Sequence, residues 1–417
     1  LGALGTAFTL LYALVGVPLG RLTDKGTRTR ILAGGVFVWS LLTAASGLAR
    51  TYGQLFALRL GVGVGEAACA PAATSLIGDV FSAATRARAL SIFMMGLPIG
   101  IALSYAVSGT VAHAYGWRAA FLVAGIPGLM CTVAALYLRE PARGASEAPG
   151  VGARKREGNP YKLVLSTPTV WWLIASGALH NFNMYAIGSF LSPFLIRYHY
   201  ADLPLADATR QAGFVSMFVY GLSGIPGLLL GGILGDAIMK RRRDGRLLVG
   251  AVAILLSVPL NYWALGREQG DTVGFAILMG LGVAVMYAYY STVYSTIQDV
   301  TEPSLRGTAM ALYFFAMYVL GASLGPIGTG ALSDYFFARA SGGMAVELMT
   351  EAQVLAYRAQ GLHLAMYSIP ILGALLSAVL FMGSRTVGKD MEKLERWMRG
   401  CSEEPELARA LETEHAR

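Results

Sequence analysis

Apolar runs close to 20 residues long recur along the whole of this 417-residue chain, and they constrain it more than any other feature. At about 1.5 Å of rise per residue, each run is long enough to cross the ~30 Å hydrocarbon core of a bilayer as an α-helix. Only 14% of the residues are charged and 55% are hydrophobic, whereas a soluble domain carries about 25% charged residues. So few charges cannot cover two or three water-soluble cores. The runs predict eleven spans, near Leu1–Leu19, Ile31–Leu48, Leu55–Ile77, Ala89–Ala112, Ala119–Leu138, Val170–Phe190, Gly213–Leu234, Leu247–Leu265, Val273–Ile297, Met310–Leu332 and Leu362–Met382. The chain also holds 51 glycines, and membrane helices use such small residues to bring backbones together. Cys69 and Cys131 fall inside spans and Cys401 in a charged tail, so no disulfide framework is implied.

The net charge of +8 is distributed as topology demands rather than as a nucleic-acid surface. Loops on one side hold eighteen Lys and Arg, among them Arg21 to Arg30, Arg86, Arg88 and Lys240 to Arg246; loops on the other side hold seven. The positive-inside rule makes the rich side cytoplasmic. The expected organisation is an N-terminal bundle over 1–138, a cytoplasmic linker over 139–168, a C-terminal bundle over 169–383 and a cytoplasmic tail over 384–417. Met391, Leu394, Trp397 and Met398 share one helical face of that tail, which fits either a surface-lying amphipathic helix or a solvated, frayed segment.

The two halves repeat. Gly20-Arg-Leu-Thr-Asp24-Lys25 ends one span and Gly232-Ile-Leu-Gly-Asp236 ends another, 212 residues later, each followed by a basic cluster. Asp79-Val80 with Arg86 matches Asp299-Val300 with Arg306 at a shift of 220. Both pairs fall at the same end of corresponding spans, so the halves are parallel repeats. The second half has a span ahead of its Gly-xxx-Asp helix whose counterpart would lie upstream of Leu1. The repeat therefore predicts a twelfth span, the first of the full set, outside this sequence.

Charges at bilayer depth are costly and mark function by default. One span carries clear cases, in Arg59-Leu-Gly-Val-Gly-Val-Gly-Glu66. Seven residues make close to two helical turns, so both charges project from nearly one face, about 10 Å apart along the axis. Gly61, Gly63 and Gly65 admit a close neighbour, and Pro71 is placed to bend the helix further on. Glu66 is the candidate proton carrier. Arg59, with its planar fork, is the candidate partner for a phosphate or carboxylate. The alternative is a buried ion pair that fixes packing. Asn181, Asn183 and Tyr290, with His180 and further tyrosines near them, are candidate cavity-lining groups. Gating candidates are Asp24, Arg28, Arg30, Arg86, Arg88, Asp236, Arg241 and Arg306. Among these, Asp24 is placed to pair with Arg28, Arg86 or Arg88, or to face the positive end of another helix. The glycine- and proline-bearing stretches Gly96–Gly100 and Gly321–Gly328 sit in matching spans and suit either hinges or close packing. His113, His180, His199, His363 and His415 lack metal-ligand spacing, so no metal, cofactor or embedded enzyme is expected.

The duplicated Gly-xxx-Asp loops resemble the signature of the major facilitator superfamily across the whole chain. The stretch Arg59-Leu-Gly-Val-Gly-Val-Gly-Glu66-Ala67, with Trp117-Arg118 and Arg139-Glu140-Pro141, resembles the Spinster family more narrowly. The resemblance implies an all-α, twelve-helix fold in two six-helix bundles. It also implies alternating access around a midplane cavity, with Glu66 and Arg59 inside it. The substrate class it implies is an amphipathic lipid such as sphingosine-1-phosphate or a lysophospholipid. Two departures stand out: Thr27 occupies a loop position where the superfamily usually has Gly or Asn, and the first helix, a carrier of charged cavity residues, is absent. The expectation is a monomeric multi-pass protein of a bacterial inner membrane that moves an amphipathic organic anion, coupled to protons. Alternatives are the same fold carrying a small organic anion, sugar phosphate or drug, and a sensor that binds without transporting.

Overall fold

A computed structural model describes residues 2–104, 111, 114–146 and 158–415. The end of the fourth expected span, His113, and Arg154, Lys155 and Arg156 of the linker lie outside the described residues. Among the described residues all regular structure is helical. The first half comprises α1 (Gly2–Lys25), α2 (Arg28–Ser46), α3 (Tyr52–Ala67), α4 (Cys69–Val80), α5 (Arg86–Met94), α6 (Gly96–Leu103) and α7 (Trp117–Leu136). A short α8 (Pro160–Leu165) leads into α9 (Pro168–Phe194), α10 (Leu205–Ser216), α11 (Gly224–Met239), α12 (Gly245–Leu265), α13 (Thr272–Val300), α14 (Arg306–Ala316), α15 (Leu324–Ala340), α16 (Glu351–Met366) and α17 (Ser368–His415). Among the described residues nine helical stretches are long and apolar enough to cross a membrane. The other two expected spans correspond to α1 and α9, helices of 24 and 27 residues. In α9 the polar group His180, Asn181 and Asn183 dilutes the hydropathy, and all three are buried inside the protein.

Several spans are broken where proline removes a backbone donor. Pro226 and Pro326 cannot bond to the carbonyls of Leu222 and Ala322, four residues earlier. At both places the preceding turn widens to π geometry, over Met217–Leu222 and Met317–Ala322. There Ser223 N–H donates to the Phe218 carbonyl and Ser323 N–H to the Tyr318 carbonyl, both at 3.0 Å and five residues back. The Arg59–Glu66 span is likewise divided at Ala68, with Pro71 in the first turn of α4.

Glycine sets the closest helix contacts. Gly35 and Gly65 let α2 and α3 touch: a Cβ on Gly65 would stand 2.8 Å from the Trp39 nitrogen and 3.0 Å from the Gly35 oxygen. Gly321 and Gly325 do the same against Ala178 and Phe182 of α9, whereas Gly96 and Gly100 face open space. The matching glycine stretches therefore differ, one being a packing seam and the other not.

The tail departs from both sequence expectations. α17 runs without a break from the last span into the charged segment. Val387, Met391 and Leu394 are buried against the basic end of the bundles, not laid on a membrane. Asp390 accepts from the Thr169 N–H at 2.9 Å and from its hydroxyl at 2.6 Å, and Glu395 pairs with Arg243 at 2.9 Å. Met391, Leu394 and Met398 form one wall of a cleft whose other wall is Ala83, Arg86, Asp299 and Arg306.

Candidate functional site

At the basic end the two halves are joined by a reciprocal set of contacts. Asp24 ends α1, and its carboxylate accepts from Gly307 N–H and Thr308 N–H, each at 2.8 Å, and from the Thr308 hydroxyl. Those donors are the free N–H groups at the start of α14, in the other half. Asp236 ends α11 and does the same in return. It accepts from Ala87 N–H at 3.1 Å and Arg88 N–H at 3.0 Å, at the start of α5. An anion at a helix N-terminus satisfies orphan donors and meets the positive end of the dipole. The ion pairs are also exchanged: Arg86 reaches Asp299 at 2.6 Å and Arg306 reaches Asp79 at 2.8 Å.

One further arginine anchors each corner. Arg28 pairs with Asp79 and, at 2.7 Å, with Glu140. Arg246 pairs with Asp299 and, at 2.7 Å, with Asp236. All four arginines, Arg28, Arg86, Arg246 and Arg306, are fully buried. Glu140 belongs to the segment that follows α7. Burial raises its carboxyl, but the Thr29 N–H and the Arg28 guanidinium outweigh burial and hold it below the usual carboxylate range. Arg143 ties the same segment to the end of α1 through the carbonyls of Thr23, at 2.7 Å, and Gly26, at 3.0 Å.

The gating candidates thus divide. Asp24, Arg28, Arg86, Asp236 and Arg306 are brought together. Arg88 lies at its edge, with its side chain 3.6 Å from Asp236. Arg30 and Arg241 are exposed. Asp24 takes the helix-end arrangement rather than pairing with Arg28, Arg86 or Arg88. Asp79, Asp299, Arg246, Glu140 and Arg143 were missed as partners. Asp79 and Asp299 were visible as marks of the repeat, and a repeat with an acid and a base in each copy signals exchange between copies.

Glu66 sits about 21 Å along the axis from the start of α3, near mid-span. It makes no hydrogen bond or ion pair among the described residues. Within electrostatic reach are Tyr12 of α1, Tyr185 of α9 and Tyr318 of the widened turn before α15. The Tyr12 and Tyr318 rings meet tilted, with centroids 4.6 Å apart. Tyr185 lies against Tyr318 at 6.4 Å. The carboxyl therefore stands near the junction of the two halves, within electrostatic reach of tyrosines from both. Arg59 does not pair with Glu66. Its guanidinium stacks over the Phe121 ring of α7 at 4.6 Å.

The remaining candidates sit inside the second half. Tyr290 joins a ladder of rings with His180 at 4.8 Å, Tyr287 at 5.7 Å and Tyr294 at 5.7 Å. Through Tyr294, Phe314 and Tyr318 this ladder leads to the Glu66 junction. Asn181 packs against Gly321, and Asn183 donates to the Ile369 carbonyl of α17 at 3.2 Å, so both serve helix contacts away from Glu66. Tyr12, Tyr185 and Tyr318 were missed. Each is one tyrosine in an apolar span, and sequence spacing carries no sign that three such helices converge.

The sequence profile of the Major Facilitator Superfamily matches residues 1–326, more than three quarters of the chain. The chain belongs to the Major Facilitator Superfamily. It is 28% identical to an MFS-type efflux pump of Mycolicibacterium smegmatis, over 79% of this chain and 74% of the pump. It is 27% identical to protein spinster of Drosophila melanogaster, over 85% of this chain and 60% of that longer protein. A sphingosine-1-phosphate transporter of Danio rerio matches at 26%, over 80% and 68%. Among solved structures, a bacterial Spinster homologue in an inward-facing, unoccupied conformation aligns with a TM-score of 0.62 at 25% identity, covering 93% of this chain and 90% of that one. The E. coli fucose:proton symporter aligns with a TM-score of 0.64 at 14% identity, over 93% and 90%, and so shares the fold. The Spinster resemblance seen in the Arg59–Ala67 motif is thus matched by the relatives. The superfamily is one of multi-pass membrane transporters of small molecules, not of enzymes.

Proposed function

We propose that the protein is a proton-coupled transporter of an amphipathic organic anion, of the lysolipid or sphingoid-phosphate kind, working by alternating access. The observation that carries this reading is Glu66, a carboxyl that has no hydrogen-bond or ion-pair partner among the described residues and lies within electrostatic reach of tyrosines from both halves. A carboxyl so placed gains or loses a proton as the halves rock and water reaches it from one side or the other. Its aromatic surroundings favour an apolar substrate body. One cation, Arg59, lies on the same helix, which suits a single anionic head rather than a multiply charged sugar phosphate. The buried arginine cluster belongs to a state closed at the basic end, the cytoplasmic end on this reading. The protein then acts as a monomer in a bacterial inner membrane, with its tail in the cytoplasm.

A second reading is export of apolar drugs, favoured by the mycobacterial efflux pump among the relatives. The test is uptake by proteoliposomes of a labelled lysophospholipid or sphingoid phosphate, with and without an inward proton gradient, for wild type and Glu66→Gln. A gradient response in wild type that Glu66→Gln abolishes supports the proposal. Equal transport by both removes Glu66 from coupling. Absence of lipid transport with retained transport of a hydrophobic dye supports the drug reading.

A further inference from the structure

A groove of about 620 Å³ runs along the outer face of the second half, between α11, α12 and α13. Ligand sites commonly measure about 300–1,000 Å³. Its floor is made by close contact of α11 with α13. A Cβ on Gly227 would stand 1.6 Å from the Ala284 oxygen, and one on Gly231 would stand 2.7 Å from the Ala288 Cα. Its walls are apolar side chains exposed to the bilayer, including Leu230, Leu234, Val252 and Leu256. The one polar residue in its lining is Arg242, at the basic end.

Two dimensions fit a particular occupant. From Leu248 to Leu260 the groove follows α12 for about 18 Å, close to the ~15 Å hydrocarbon depth of one leaflet. It therefore has the length of one acyl chain lying in the leaflet on the basic side. At its mouth Lys240, Arg241, Arg242 and Arg243 are all exposed; Asp244 pairs with Arg242 and Glu395 with Arg243. Asp244 bonds Nε and Nη2 of Arg242, at 3.1 and 2.9 Å, which fixes the guanidinium and leaves Nη1 for another acceptor. A second groove of about 480 Å³, towards the opposite end of α12, is lined by Tyr262, Trp263, Tyr367 and apolar residues and carries no cation.

We infer that the α11–α13 groove is a binding site for one anionic phospholipid, whose acyl chain lies over Gly227 and Gly231 and whose phosphate meets Arg242. The site is separate from the Glu66 junction and does not depend on what the transporter carries. Photo-crosslinking tests it, with diazirine-acyl phosphatidylglycerol and phosphatidylcholine compared at equal amounts in nanodiscs and adducts mapped by mass spectrometry. Adducts are expected on Leu234, Ile238, Val252 and Leu256. Phosphatidylglycerol should be favoured about fivefold, the factor given by ~1 kcal/mol of headgroup attraction to one cation. Arg242→Gln should bring the two lipids level, and Val252→Trp should reduce labelling by both by filling the groove. Equal labelling in the wild type overturns the proposal. So does a preference that survives Arg242→Gln, or adducts spread evenly over all lipid-facing helices. The wild-type comparison decides even if a variant folds poorly.

Discussion

Replacing Asp24 by alanine should shift the protein away from the state closed at its basic end. The carboxylate accepts two backbone bonds of 2.8 Å and one hydroxyl bond, all from α14 in the opposite half. None of these can persist once the halves part. A hydrogen bond to a charged group is worth about 1.5–3 kcal/mol net, and the helix end adds about 0.3–1 kcal/mol. Part of this is returned when the freed carboxylate is hydrated in the open state. A net bias of about 2–3 kcal/mol towards closure remains, equivalent to roughly 30- to 140-fold in the closed-to-open ratio. The assay is double electron–electron resonance between spin labels at Lys25 and Lys240, exposed positions on opposite halves, in a background lacking native cysteines. Wild type should show mainly the short distance, and Asp24→Ala should gain a longer one. Asp24→Asn keeps an acceptor oxygen and loses the charge, so its shift should be smaller. A change under threefold, or a change towards the short distance, would refute the reasoning that the helix-end contact controls closure.

Other consequences are open to simpler measurements. Leu394→Lys places a like charge against the buried arginines Arg86 and Arg306, and should raise hydrogen exchange over 386–398 and lower stability by about 2–3 kcal/mol. Gly65→Val forces α2 and α3 apart and should cost about 1–3 kcal/mol, read from unfolding midpoints in detergent. Glu140 titrates below its free value, so the stability it lends is complete above the free carboxylate range, near pH 4.3, and is lost as pH falls through its lower folded-state value. Thermal stability should therefore be flat in this respect from about pH 5 to 8, and Glu140→Gln should blunt the fall below about pH 4.

Much of the architecture is legible in the chain because the bilayer imposes it locally. A run of apolar residues must satisfy its own backbone, and in lipid a helix is the way to do so. All eleven predicted spans have helical counterparts among the described residues. The span α9, diluted by His180, Asn181 and Asn183, is less apolar than its neighbours, and it carries Tyr185 towards Glu66 as α1 carries Tyr12. The polar groups of α9 are buried inside the protein and do not face lipid. The tail was misjudged for a related reason. An apolar stripe with charges opposite suits a membrane surface or a protein surface equally well, and spacing cannot choose between them.

The sequence by itself determined the solvent, the helical class, the internal repeat and the presence of a mid-span acid. These follow from composition, run length and the recurrence of short patterns, each confined to a few turns of chain. Only the tertiary structure decided the partners. That Arg86 meets Asp299 while Arg306 meets Asp79, that Asp24 and Asp236 each cap a helix in the opposite half, and that Arg59 leaves Glu66 for Phe121 all depend on contacts between distant segments. Such contacts are set by how two bundles meet, a geometry that summed packing over many helices selects and that no single span encodes.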